Sequence, residues 1–303
     1  MILLTGGTGL VGSAIRERLA ISGQDFVSPT RHQMNLLDPN SVRSTLAQFK
    51  PNVVVAAAAL VGGIAANIAA PVKFLTENLQ MQSNLIIESA RVGVEQIIFL
   101  GSSCIYPRDC SQPMHESMLM SGKLEPTNES YAIAKLAGIQ LCRAVKQEFG
   151  VRFVVPIPSN IYGKADHFKP NRAHMLSALV AKFCQAKDSG ASEVDVWGSG
   201  NARRELTHAD DLADAISFIL DHKDIPELIN VGTGTDHAIH EISNLLAMKI
   251  GYRGRINFDK SKPEGMPRKV LDVSVMASFG WRSSIPLERG IDDLIAEFRI
   301  RNQ

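Results

Sequence analysis

Met1-Ile2-Leu3-Leu4-Thr5-Gly6-Gly7-Thr8-Gly9-Leu10-Val11-Gly12 opens the chain, and its reading decides the fold. A short apolar run, Met1 to Thr5, passes into glycines at Gly6, Gly9 and Gly12, and from Leu10 to Ser22 apolar residues recur at helical spacing. Strand, glycine turn and helix in that order form the first half of a βαβ unit. Glycine tolerates positive φ and lets a pyrophosphate approach the backbone, where N–H groups and the helix dipole receive it. Thr5, Gly6, Gly7, Thr8, Gly9, Leu10, Val11 and Gly12 are therefore the candidate dinucleotide cradle. Glycines at this spacing also occur in ordinary tight turns. Their place between a buried strand and an amphipathic helix favours the dinucleotide.

Outward from this unit the same alternation continues. Buried strands are expected at Asp25 to Ser28, Val53 to Ala58, Gln96 to Gly101 and Phe153 to Pro156, with helices between them at Ser41 to Phe49, Pro71 to Val92 and Ser130 to Phe149. Such alternation predicts an α/β fold, a Rossmann-type doubly wound parallel sheet covered on both faces. After about Asn160 the rhythm loosens into turn-rich stretches, Gly163 to Arg172 among them. Helices are then expected at Met175 to Lys187, Ala209 to Leu220, Ile239 to Ile250 and Leu287 to Arg299. This predicts a nucleotide domain over 1–160 and a smaller C-terminal α/β substrate lobe over 161–303, with segments around 203–235 returning to the first domain. Glu227 to Val231 reads as a late strand of the sheet.

The 303 residues carry 32 basic and 31 acidic side chains, a net charge of +1. No global field attracts nucleic acid or an anionic membrane, so an anionic ligand has to be recognised locally. Cys104, Cys110, Cys142 and Cys184 show no metal-type CxxC spacing, and no metal is expected. Reduced thiols and the lack of a leader or of a long apolar run point to a soluble, cytoplasmic protein.

The end of the second strand decides between NAD and NADP. An acidic residue there binds ribose hydroxyls, whereas an arginine accepts a 2′-phosphate. Here the strand ends Ser28-Pro29-Thr30-Arg31. Arg31 therefore favours NADP, although a solvated loop cation would look the same. Asn35 and Leu36 follow where an adenine edge would lie, and Ala57 belongs to a run of alanines small enough to pass beside a cofactor.

Tyr131-Ala-Ile-Ala-Lys135 places a phenol and an ammonium on one helix face. A nearby ammonium favours the phenolate, so Lys135 is expected to lower the Tyr131 pKa and to hold the nicotinamide ribose. Ser102, at the end of the preceding strand, is placed to hydrogen-bond a substrate carbonyl as negative charge develops on it. The combination predicts hydride transfer to or from a carbonyl.

The chain resembles the extended short-chain dehydrogenase/reductase family, and within it the epimerase/reductases of GDP-4-keto sugars. Matching stretches include Val61-Gly62-Gly63-Ile64, Gly101 to Pro107, Leu124 to Ala132, Pro158 to Gly163, Trp197 to Gly200, Arg204 to His208, Asn230 to Gly234 and Lys262 to Lys269. The resemblance implies NADPH as hydride donor, a GDP-sugar substrate and a homodimer through Pro71 to Val92 and Ser130 to Phe149. It implies two chemistries in one site: C3/C5 epimerisation of GDP-4-keto-6-deoxy-D-mannose, then reduction at C4 to GDP-L-fucose. Cys104 and His174 would be the proton-transfer pair. Leu100, Gly101, Ser103, Pro158, Ser159, Asn160, Ile161 and His174 would join Ser102 and Lys135 around the cofactor. Lys182, Trp197, Arg204, Glu264 and Lys269 would meet the nucleotide sugar.

Three positions depart from the family pattern. Gly7-Thr8 replaces a frequent His-Arg in the glycine turn, Leu60 replaces a lysine, and Lys182 stands where an arginine is usual. A relative acting on another GDP-4-keto sugar, a dideoxy hexose or a heptose, is the closest rival. A non-catalytic protein on the same fold is the other, and it would not need Ser102, Cys104, Tyr131, Lys135 and His174 together.

Overall fold

The computed structural model describes residues 1–169 and 173–302. Its strands are β1 (Ile2–Thr5), β2 (Phe26–Val27), β3 (Val53–Ala56), β4 (Gln96–Phe99), β5 (Arg152–Pro158), β6 (Asn160–Tyr162), β7 (Glu193–Trp197), β8 (Arg203–His208), β9 (Leu228–Val231), β10 (Asp236–Ala238), β11 (Arg255–Asp259) and β12 (Arg268–Lys269). Six of them form a parallel sheet in the order β2-β1-β3-β4-β5-β9. The strand order reverses beside β1, so the crevice of this doubly wound sheet opens between the ends of β1 and β3.

The helices are α1 (Leu10–Ile21), α2 (Pro39–Phe49), α3 (Ile64–Ala69), α4 (Pro71–Arg91), α5 (Glu129–Phe149), α6 (Met175–Ser189), α7 (Ala209–Asp221), α8 (Ile239–Ile250), α9 (Ser274–Ser278) and α10 (Leu287–Arg301). One face of the sheet is covered by α2, α4 and α5, whose Leu46, Ile86 and Ile139 pack against Leu3, Ile97 and Phe99. The other face is covered by α1 and α7 through Ile15, Leu19, Leu212 and Ile216. With both faces dry, β1 and β4 are buried at every residue, which is why each holds three apolar residues in a row, Ile2 to Leu4 and Ile97 to Phe99. A separate core joins α6, α8 and α10, built on Val180, Phe183, Leu246 and Leu294.

Several boundaries differ from expectation for local reasons. Helix α2 starts at Pro39 rather than Ser41, because the Asp38 carboxylate accepts the Asn40 N–H at 2.9 Å and the proline ring suits the first helical position. Strand β3 stops at Ala56, where the chain turns so that the Ala58 N–H reaches Thr5 Oγ1 at 3.2 Å. Asn171 and Arg172, at the end of the first turn-rich stretch, lie outside the described residues.

Strand β8 organises a second sheet, with β10 antiparallel on one side, and β12 and β6 parallel to it. Glu205 on β8 is fully buried, and its carboxylate accepts backbone N–H bonds from Thr233 at 2.6 Å, Gly234 at 2.9 Å and Leu271 at 2.7 Å. Burial pushes this carboxyl up to about 7, against the pull of those three donors. The carboxylate thus ties the turn between β9 and β10 to the segment after β12. In Glu205→Gln the amide nitrogen would face an N–H donor, and urea unfolding should show a loss of about 1–3 kcal/mol.

Candidate active site

A cleft of about 640 Å³ runs from the glycine turn along the ends of β1, β3, β4 and β5 to β8. Every residue singled out for the cofactor and for catalysis lines it, as do Arg204 and Lys269. Gly6 adopts φ +74, and a Cβ there would lie 2.8 Å from the Ala58 backbone. At Gly12 a Cβ would lie 2.0 Å from the Gly6 carbonyl oxygen, whereas at Gly9 the nearest atom would be 3.5 Å away. Gly6 and Gly12 are thus fixed by close packing, and Gly9 leaves space over the N-terminus of α1. Gly9 caps that helix without a side-chain bond, and the first turn holds no acid. Its orphan N–H groups face the cleft and fit a pyrophosphate.

Arg31 lies exposed at the adenosine end of the cleft, beside Ser28, Pro29 and Thr30. Arg16, which the sequence reading did not single out, lines the same end. The signal was present: Arg16 stands four residues beyond Gly12, one helical turn along α1. Among the described residues neither guanidinium forms an ion pair.

At the other end, β4 runs into a short 3₁₀ turn, Ser103–Ile105. Ser102 caps it by accepting the Cys104 N–H at 3.3 Å, which fixes both side chains at the cleft. Tyr131 and Lys135 enter from α5, where Gly138 lets the helix settle against Phe99: a Cβ there would meet that ring at 2.4 Å. The buried Lys135 ammonium donates to the Leu100 carbonyl at 2.8 Å and lies 5.9 Å from the centre of the Tyr131 ring. Burial lowers its pKa to about 8.

The expected effect of Lys135 on Tyr131 is corrected by this geometry. Burial pushes the Tyr131 hydroxyl up, nearby Cys104 adds to the rise, and only a hydrogen bond with Ser102 works against it. The ammonium donates to the Leu100 carbonyl, and burial keeps Tyr131 as the protonated phenol, the form that can donate.

The Cys104 sulfur accepts from Asn128 Nδ2 at 3.1 Å and from Lys269 Nζ at 3.3 Å. Lys269 is paired with Arg204 in the β12–β8 register, so two cations stand side by side on one wall. Arg204 donates to the carbonyls of Arg203 at 2.8 Å and Glu264 at 2.6 Å, and burial holds it below the usual arginine range. Among the described residues, neither Arg204 nor Lys269 forms an ion pair. Unneutralised cations on a cleft wall suit an anionic ligand.

His174 stands just before α6 and faces the cleft, its Nδ1 2.9 Å from the Asp166 carboxylate. Partial burial disfavours the charged ring, but the hydrogen bond and charge of Asp166 outweigh it and leave His174 above the usual imidazole range. Asp166 and Asn128 were not singled out from sequence, since nothing in their spacing marks them.

Lys182, Trp197 and Glu264 do not line the cleft. The Lys182 ammonium is exposed and donates to the Asp195 carbonyl at 2.9 Å. Trp197 ends β7 with 44% of its surface exposed. The Glu264 carboxylate is turned away onto the Ser199 N–H and hydroxyl.

A dinucleotide cradle and a Ser-Tyr-Lys set along the edge of a doubly wound sheet, faced by a cationic wall on a second sheet, define a nucleotide-dependent enzyme of the Rossmann class. The profile of the NAD dependent epimerase/dehydratase family matches residues 2–232, and the chain belongs to that family. It is 42% identical over 292 residues to a GDP-L-colitose synthase of Yersinia pseudotuberculosis, covering 96% of this chain and 95% of that protein. It is 43% identical over 300 residues to the GDP-L-fucose synthase of Escherichia coli, covering 96% and 94%. Among solved structures, a GDP-mannoheptose C4 reductase from Campylobacter jejuni with NADP bound superimposes with a TM-score of 0.87 at 32% identity, covering 99% and 98%.

The Lys135 shift gives a stability test. Its folded value, about 8, lies below the ordinary 10.5, so between these pH values the unfolded chain binds more protons and stability rises with pH. Denaturant titrations at pH 7.5 to 10.5 should show the unaltered protein gaining stability relative to Lys135→Met across that window.

Proposed function

We propose that this chain is a bifunctional enzyme that epimerises GDP-4-keto-6-deoxy-D-mannose at C3 and C5 and reduces its C4 ketone with NADPH to give GDP-L-fucose. The observation that carries this reading is the meeting of two sets of groups in one cleft: Ser102 with Tyr131, and Cys104 with His174. A simple ketoreductase needs the first set alone. The likeness to GDP-L-fucose synthases at 42–44% identity, over nearly the whole chain, supports the same reading.

Ser102 and Tyr131 hold the C4 oxygen and stabilise the enolate formed when a proton leaves a neighbouring carbon. Cys104 and His174 remove and return that proton from opposite faces of the ring, as epimerisation requires. Tyr131, kept protonated by its surroundings, then donates to the C4 oxygen during reduction. NADPH held at the glycine turn of Gly6 to Gly12 would supply the hydride for C4. Lys135, anchored on Leu100, offers its remaining N–H groups to the nicotinamide ribose, while Arg16 and Arg31 take the 2′-phosphate. Arg204 and Lys269 receive the GDP diphosphate, with Lys182, Trp197 and Glu264 beyond them at the nucleoside. Residues 1–160 form the nucleotide domain with α7 and β9, so the return expected at about 203–235 begins only after β8, which joins the second sheet, and the rest of 161–303 forms the substrate lobe. The enzyme works in the cytoplasm as a homodimer through α4 and α5, whose Val72, Ile133 and Phe149 are left exposed.

A related reading, turnover of another GDP-4-keto sugar, draws support from the likeness to a colitose synthase and from Leu60, which puts an apolar side chain in the cleft wall where the family pattern has lysine. Incubation of GDP-4-keto-6-deoxy-D-mannose with NADPH in deuterated water separates the two. We expect NADPH oxidation and deuterium at C3 and C5; no oxidation with this sugar, but turnover of a dideoxy or heptose analogue, would sink the fucose assignment.

The cofactor reading has its own test. Arg16→Ala and Arg31→Ala should each weaken NADPH binding about tenfold, the loss of a charge-assisted bond, and leave NADH binding nearly unchanged in fluorescence titrations. Equal losses for both cofactors would remove the two arginines from the 2′-phosphate.

A further inference from the structure

Taking His174 as a proton donor to the sugar, we propose that Asp166 is the positioning residue that fixes the imidazole so that protons enter and leave only at Nε2. Asp166 follows β6 on a loop, and its side chain is 1% exposed. Its Oδ1 accepts the His167 N–H at 2.8 Å and faces His174 Nδ1 at 2.9 Å, while Oδ2 accepts the Ser177 hydroxyl. A carboxylate only accepts, so Nδ1 must carry a hydrogen whether the ring is neutral or charged. Nε2 is then the one ring atom whose proton can be exchanged, and the ring, 34% exposed, opens on the cleft.

Two other histidines that precede helical turns use the ring differently, whereas His222 and His240 set Nδ1 against backbone carbonyls. His115 and His208 also stand immediately before helical turns, and each uses Nδ1 to accept a backbone N–H at 3.2 Å. That bond requires a bare Nδ1 and fixes the opposite tautomer. His174 occupies the same place before α6 but makes no capping bond. Asp166 has taken its ring out of the capping role.

The loop is itself anchored from a distance. Arg301, at the end of α10, donates to the Asp166 carbonyl at 3.0 Å and to that of Lys164, and stacks over Phe168 at 5.7 Å. Phe168 meets Phe298 edge-on at 5.1 Å. Among the described residues, Asp166 is the one charged group acting on the imidazole. Arg301 binds loop carbonyls instead, while Lys269 bonds to Cys104 and Arg204 bears on it electrostatically.

The test uses the full chain with ¹⁵N-labelled histidine. In the unaltered protein the neutral His174 ring should be protonated at Nδ1; a ring protonated at Nε2 would overturn the proposal without any variant. In Asp166→Asn the His174 titration midpoint should fall, and deuterium incorporation into the sugar should drop on the order of 100-fold in kcat with little change in KM. Asp166→Glu should recover part of both. An unmoved midpoint in Asp166→Asn would overturn the contact's role. A lowered midpoint with undiminished deuterium incorporation would instead remove His174 from the reaction, so the two failures are distinguishable.

Discussion

The rest of the structure depends on one close approach, that of Gly6 to the backbone of Ala58. A side chain at Gly6 would need the space that Ala58 fills, and one at Gly12 would run into the Gly6 carbonyl. Because neither exists, the end of β1 closes against the end of β3 at the reversal of strand order, and α1 starts directly over the crevice. Its orphan N–H groups then point at the cleft rather than into solvent. Strand ends β4 and β5, held in register with β3, deliver Ser102 and Ser159 to the same edge.

Strand β8 supplies the opposite wall, and its two-residue alternation lets adjacent side chains do different work. Arg204 faces the cleft, where parallel pairing with β12 brings Lys269 beside it. Glu205 points the other way into a dry interior, where it gathers three backbone donors from two loops. The position of the cationic wall therefore rests on a buried carboxylate one residue away.

The groups to which we assign proton transfer are held by partners of contrasting kind. Cys104 is approached by an amide and an ammonium, whereas His174 is approached by a carboxylate. Tyr131 is held as a donor by burial, while Lys135 is drawn below its usual range by the same burial. Environments that push neighbouring titratable groups in different directions allow acid and base steps to share one cleft near neutrality.

Resemblance to a known family implied that Cys104 and His174 join Ser102 in one site, whereas the sequence by itself determined the doubly wound sheet, the glycine cradle and the Tyr131–Lys135 pair. These are local patterns: apolar runs, helical spacing and glycines that only a turn requires. Tertiary structure alone decided that Lys135 serves the Leu100 carbonyl rather than the Tyr131 phenol, and that Lys269 reaches Cys104 from 165 residues away. It alone also drew Asp166 onto His174, brought Arg16 into the cleft that Arg31 lines and turned Glu264 away from it. Such pairings join segments that no periodicity links, because they are set by which strand ends meet and by which buried polar groups must find partners.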